Sequence, residues 1–210
     1  MLRILVADDH TIVREGLKQI LGEVPDMIVA GEASDGLKTL QKVQEDHYDL
    51  VLLDIAMPGL SGLDVLKHLK SNKPELPVLM LSMYPEEQYA VRTLKAGASG
   101  YLTKESASEE LIAAIRKVCS GGKYITSSLA EKLAYCLDSN SERPVHERLS
   151  DREYQVVQMI ASGQTVTEIA EALSLSVKTI STNRSRALMK MGMKTNAELT
   201  YYAIKHGLVE

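Results

Sequence analysis

Leu50-Val51-Leu52-Leu53-Asp54 is the stretch on which the fold turns. Four apolar residues in unbroken succession, ended by a carboxylate, read as a short strand buried on both faces. Such strands belong to parallel sheets with helices packed on each side. The same device recurs on either side of it. Ile4-Leu5-Val6-Ala7 runs into Asp8 and Asp9, Val78-Leu79-Met80-Leu81 ends at Ser82, and Gly100-Tyr101-Leu102-Thr103 is followed by Lys104. In an open parallel sheet, ligands bind outside the carboxyl ends of the strands. Three carboxylates, a hydroxyl and an ammonium are therefore expected to share one site.

Further outward, apolar runs at 3–7, 27–31, 50–53, 78–82 and 99–102 alternate with stretches of helical period. Residues 11–21 set Ile12, Leu17, Ile20 and Leu21 near one face. Residues 62–70 do so with Leu63, Leu66 and Leu69, and 106–119 with Leu111, Ile112, Ile115 and Val118. The alternation predicts βαβ units, hence a doubly wound α/β domain with a five-stranded parallel sheet over residues 1–122. Residues 123–148 are expected to form a linker, with a short helix at 127–137 and the polar stretch 138–144 after it. Beyond that no strand pattern returns. Ser150 and Glu153 are spaced as a capping box for a helix over 151–162. Helices at 166–173, 177–191 and 196–206 would complete a small all-α domain over residues 149–210.

Charge divides unevenly. Residues 1–122 hold 13 Lys+Arg against 18 Asp+Glu, a net −5, and residues 149–210 hold 7 against 6, a net +1. Within the latter, 176–194 carries Lys178, Arg184, Arg186, Lys190 and Lys194 and no acid, the footprint of a nucleic-acid contact. No apolar stretch approaches the ~20 residues that span a bilayer. The first residues run straight into a strand instead of following the order of a secretory signal. Cys119 and Cys136 have no metal-type spacing and read as reduced thiols. A cytoplasmic protein without a membrane partner is expected.

The acidic set has a definite chemistry. An aspartate can attack phosphorus to give an acyl phosphate. Attack of anion on anion needs a bridging cation, and Mg²⁺ prefers oxygen ligands. Asp8 and Asp9 would hold the metal, Asp54 would attack, and the Ala56 carbonyl could add another oxygen. Lys104 would neutralise the transferred group and Ser82 would bond one of its oxygens.

Taken together, Asp8-Asp9, Asp54 followed by Met57-Pro58-Gly59, Ser82, and Lys104 after Gly97-Ala98-Ser99-Gly100-Tyr101-Leu102 resemble the receiver domain of bacterial two-component response regulators. The resemblance implies that Asp54 takes a phosphoryl group from a sensor histidine kinase. It also implies that the protein is no turnover enzyme and catalyses only its own phosphotransfer and dephosphorylation. Ser82 and Tyr101 resemble the switch pair, in which the hydroxyl moves toward the phosphoryl group and the ring turns inward. Two readings compete: a binding module with an unused acidic site, controlled by oligomerisation alone, and an aspartyl phosphatase. Such hydrolases commonly show Asp-x-Asp at the first strand, where this chain has adjacent Asp8-Asp9. His10 reads as capping or orienting the helix that follows it.

Residues 164–180 read as helix, tight turn, helix. On the second helix Ile180, Ala187, Leu188 and Met191 form the buried stripe. Lys178, Ser181, Thr182 and Ser185 share another face, flanked by Thr179, Asn183, Arg184, Arg186 and Lys190. The stretch 149–207, from Leu149-Ser150-Asp151-Arg152-Glu153 to Lys190-Met191-Gly192 and beyond, resembles the LuxR-type helix-turn-helix that ends NarL/FixJ regulators. That resemblance implies a transcription regulator that binds double-stranded promoter DNA through these residues, as a homodimer when phosphorylated. Asn183, Ser181 and Val166-Thr167 depart from the commonest pattern and leave base preference open.

Overall fold

The structure, a computed structural model, describes residues 1–126, 129–131 and 144–209. Most of the expected helix at 127–137 and the stretch 138–143 lie outside the described residues. The chain divides into two compact units, Met1–Leu133 and Ala134–Glu210.

The first unit alternates β1 (Leu2–Ala7), α1 (Thr11–Gly22), β2 (Met27–Ala33), α2 (Gly36–Glu45), β3 (Leu50–Asp54), α3 (Gly62–Asn72), β4 (Val78–Ser82), α4 (Glu86–Lys95), β5 (Gly100–Thr103) and α5 (Ala107–Cys119). The sheet order is β2-β1-β3-β4-β5, and every pairing is parallel, the latter as the apolar runs predict. Leu50, Val51, Leu52 and Leu53 are fully buried, as are Ile4 and Leu5. The strand order reverses between β1 and β3, so the helices that follow them diverge and leave a crevice at their carboxyl ends. Asp8 and Asp54 stand at that crevice.

The helix faces follow the expected period with one correction. Leu17 and Leu21 are buried and Ile20 packs against the core, but Ile12 is 88% exposed. Five residues before Leu17, it lies about 140° around the helix from it. Val13 takes the inward position instead.

The second unit is all helical among its described residues. A single 3₁₀ turn at Val145–Arg148 precedes α6 (Asp151–Ala161), α7 (Val166–Ala172), α8 (Val177–Met191) and α9 (Asn196–Lys205). The expected capping box of Ser150 and Glu153 is present, and Thr165 with Glu168 forms a second. Each satisfies N–H groups that a helix start leaves unpaired. Ile180, Ala187, Leu188 and Met191 are the buried stripe of α8, as the spacing predicts. Ser174 carries the turn from α7 to α8 at φ 53°. Gly192 ends α8 at φ 69°, where a side chain would be strained.

Candidate functional site

Strand register assembles the first site. Ala7 pairs with Leu53, Asp54 with Leu81, and Ser82 with Thr103. The residues at or just past these ends, Asp8, Asp54, Ser82 and Lys104, therefore stand side by side along one rim of the sheet. The Lys104 N–H donates to the Ser82 carbonyl at 2.8 Å, fixing the lysine where β5 ends. Its ammonium lies 2.6 Å from Asp8 Oδ2 and 3.0 Å from Asp54 Oδ2, with all three side chains at most 7% exposed. Asp9 stands at the mouth with its side chain 30% exposed.

Three carboxylates crowd this buried rim, with Lys104 on Asp8 Oδ2 and Asp54 Oδ2 and the His10 ring on Asp9 Oδ1. Buried anions gathered so closely are costly unless cations meet them. Burial pushes the Asp54 carboxyl above its usual range; Lys104 opposes this and Asp8 reinforces it. Burial lowers the Lys104 ammonium, but Asp54 and Asp8 outweigh it and the net shift is upward. Ligand atoms of Asp8, Asp9, His10 and Asp54 all lie within 4.8 Å of one another, close enough to chelate a divalent cation. Ala56, two residues past Asp54, is half-buried.

His10 occupies the expected N-cap position of α1, and its carbonyl accepts the Arg14 N–H at 3.2 Å, but its side chain makes no cap bond. The ring points back to the acids, with Nδ1 2.8 Å from Asp9 Oδ1 and 3.2 Å from Asp8 Oδ1. Ser82 is fully buried, and its hydroxyl oxygen accepts the Tyr84 N–H at 3.0 Å. Tyr101 is 1% exposed and donates its hydroxyl to the Tyr84 carbonyl at 2.7 Å. Its ring is thus already inside the unit, and burial pushes the phenol pKa well up. One residue essential to the geometry went unread in the sequence. Gly62, which opens α3, packs its α-carbon against the Asp54 backbone. The Ser-Gly pair at 61–62 was the only trace of it.

The second candidate surface is the polar face of α8. Lys178, Thr179, Thr182, Ser185, Arg186 and Lys190 are exposed, while Ser181, Asn183 and Arg184 are half-buried. Several of these groups are held by neighbours. Thr182 donates to the Lys178 carbonyl at 2.8 Å, Asn183 to the Thr179 carbonyl at 3.0 Å, and Arg184 Nε to Asn196 Oδ1 at 2.6 Å. The Lys190 ammonium is committed inward, 2.6 Å from Glu153 Oε2 on α6. Burial would raise the Glu153 pKa, but Lys190 and the Ser150 cap hold it below the usual carboxylate range. No helix among the described residues is long and apolar enough to cross a membrane.

Comparisons with known proteins agree with this geometry. Residues 4–116 match the family model described as the response regulator receiver domain, and residues 147–203 match that of the bacterial regulatory proteins, luxR family. Response regulator UvrY of Escherichia coli K12 is 37% identical over 209 residues, covering 99% of this chain and 96% of its own. Response regulator GacA of Pseudomonas protegens is 37% identical over 210 residues, covering 100% and 99%. A solved structure of the RcsB response regulator of Salmonella typhimurium superposes with a TM-score of 0.70 at 26% identity, covering 98% of each chain. RcsB bound to the promoter rprA with the phosphomimetic BeF₃⁻ gives 0.66 at 27% identity, covering 96% of this chain and 97% of that one.

Proposed function

The chain belongs to the two-component response regulators of NarL/FixJ type, a receiver followed by a LuxR-type helix-turn-helix, and from that premise we propose that Asp54 is its phosphoacceptor and that phosphorylation governs DNA binding by the second unit. In this reading residues 1–122 form the receiver, 123–148 the linker and 149–210 the DNA reader. The observation that carries it is the Lys104 ammonium lodged between Asp8 and Asp54, in a cluster of acid side chains close enough to share a divalent cation.

The donors of the acidic cluster are chiefly oxygens, which suits Mg²⁺. Asp8, Asp9, Asp54 and the Ala56 carbonyl would hold it. When bound, the ion offsets the repulsion between a carboxylate and an incoming phosphoryl group. An Asp54 oxygen attacks the phosphorus of a phosphohistidine on a partner sensor kinase; the O–P bond forms as the N–P bond breaks. Lys104 balances charge on the transferred group, and Ser82 donates its hydroxyl proton to one phosphoryl oxygen. Tyr101 keeps the space beneath Ser82 filled. A cytoplasmic location fits a protein that meets both a kinase and DNA.

On the second unit, α8 fits the major groove with Lys178, Thr179, Ser181, Thr182, Asn183 and Ser185 toward base edges and Arg184 and Arg186 toward phosphates, while Lys190, paired with Glu153, positions the helix from behind. Only five basic residues fall in 176–194, which supports binding as a homodimer on two half-sites. Two measurements test this reading. Incubation with a small-molecule phosphodonor should give a stoichiometric acyl phosphate that Asp54→Ala abolishes. Band shifts should then show a paired half-site bound more tightly than a single one, and more so after phosphorylation. A label that persists in Asp54→Ala would overturn the assignment.

A further inference from the structure

Past α5 the chain turns back onto the receiver unit. Lys123 Nζ reaches the Ala98 carbonyl at 2.6 Å, and the Tyr124 N–H donates to the Ser99 carbonyl at 2.9 Å. Tyr124 forms a one-residue parallel bridge with Gly100 along the edge of β5. A β-carbon at Gly100 would lie 2.8 Å from Tyr124 Cβ, so the glycine is what lets the returning chain lie so close. The Tyr124 hydroxyl donates to Glu110 on α5 at 2.7 Å. Thr126 then bonds Glu86, the first residue of α4, whose two carboxylate oxygens lie 2.6 and 2.8 Å away. The same Thr126 Oγ1 accepts the Leu129 N–H at 3.2 Å, and Leu129 is 1% exposed.

Glu86 stands two residues beyond Tyr84, whose peptide groups are held from both sides. Its N–H rests on Ser82 and its carbonyl on Tyr101. A serine hydroxyl can accept one hydrogen bond and donate another at once. A phosphoryl oxygen on Asp54 that takes the Ser82 proton therefore leaves the Tyr84 bond intact and fixes its acceptor. The turn Tyr84-Pro85-Glu86 is then anchored at its start, and Glu86 is held over Thr126. Behind this contact lies a cavity of about 200 Å³ bounded by Glu86, Tyr101, Glu110 and Thr126 among others. It gives the returning segment room to relax when the contact opens.

We propose that Glu86 and Thr126 form a latch that phosphorylation at Asp54 tightens, clamping residues 123–126 onto β5 at the point where the chain leaves the receiver. This rests on the reading of Asp54 as phosphoacceptor. Two discrete arrangements of one element, biased by a distant site, are what coupling requires. Both residues are positioning residues that do not touch the transferred group.

Amide hydrogen exchange of the full chain, with and without beryllofluoride and Mg²⁺, reads the latch directly. In the wild type the probe should slow exchange at the Tyr124 and Leu129 amides at least tenfold. Thr126→Val and Glu86→Ala should lose that slowing while the Tyr84 amide still responds. Glu86→Gln, which keeps an acceptor for Thr126, should retain it. Equal slowing at Tyr124 and Leu129 in wild type and Thr126→Val overturns the latch, and so does a wild type in which only Tyr84 responds. If no amide responds, including that of Tyr84, the phosphoacceptor reading falls and takes the latch with it.

Discussion

Gly62 stands so close behind Asp54 that a β-carbon on it would lie 1.9 Å from the Asp54 carbonyl oxygen. Its own N–H donates to the Ile55 carbonyl at 3.0 Å. The end of β3 and the start of α3 are thus stitched together at the residue proposed to react. No rotamer change can relieve a clash between a β-carbon and a backbone oxygen. Gly62→Ala should cost about 2 kcal/mol, as overpacking does. It should also slow phosphorylation of Asp54 at least tenfold through misplacement of the carboxylate. Gly22→Ala is the control, since nothing lies within 4 Å of a β-carbon there. It should leave phosphorylation unchanged and stabilise slightly. Thermal unfolding and phosphorylation kinetics of the two variants separate these outcomes.

The raised pKa of Asp54 has a thermodynamic consequence. A carboxyl that binds its proton more tightly folded than unfolded favours the fold when protonated. That contribution is full below the unfolded value near 3.8 and is lost as pH rises through the raised folded value. Once ionised, Asp54 is therefore a burden on the metal-free receiver. Asp54→Asn should raise its stability by about 1 kcal/mol. Magnesium chloride should raise the melting temperature of the wild type by mass action and that of Asp54→Asn much less. A wild type indifferent to Mg²⁺ would contradict the proposed ion site.

The sheet was readable because its strands are runs of consecutive apolar residues, and those runs and the polar residues at their ends are local features of the sequence. Leu50–Leu53 and Asp54 show this best. What escaped reading depends on contacts between distant segments. The period of α1 admits either Ile12 or Val13 at its first turn, and only packing on the sheet selects Val13. The turn of the His10 ring toward Asp8 and Asp9 is a choice of rotamer. Lys190 looked like one more cation on a basic helix, because its partner Glu153 lies 37 residues earlier. Gly62 reads as an ordinary helix-start glycine until β3 is placed beside it.

The Lys190–Glu153 pair makes the second unit sensitive to acid. Glu153 is 3% exposed and its pKa is lowered. A carboxyl with a depressed folded pKa contributes stability above its unfolded value near 4.5, and that contribution is lost as pH falls through the folded value. Lys190 is 42% exposed, so solvent screens the pair, and Lys190→Met should cost only about 1–2 kcal/mol at pH 7. The cost should shrink as Glu153 protonates. Adding Glu153→Gln should recover part of it, because the two sites are coupled. Urea midpoints at pH 7 and pH 4 for the two single variants and the double variant close the cycle. Additive losses would show that the pair does not act as one.

The same pair separates positioning from contact on α8. Arg186 is exposed on the helix, and a phosphate contact from it carries no sequence information. Arg186→Ala should weaken binding to all DNA sequences alike. The slope of log affinity against log salt should fall by about 0.9 for each protomer bound, one counterion fewer being released. It should leave the melting temperature where it was. Lys190, drawn 2.6 Å from Glu153, should behave in the opposite way. Lys190→Met lowers stability, and in conditions where the variant is fully folded its salt slope stays near that of the wild type. Should Lys190→Met flatten the slope as much as Arg186→Ala, the ammonium must leave Glu153 for a phosphate when DNA arrives, and the cost of exposing that buried carboxylate would then be part of the binding energy.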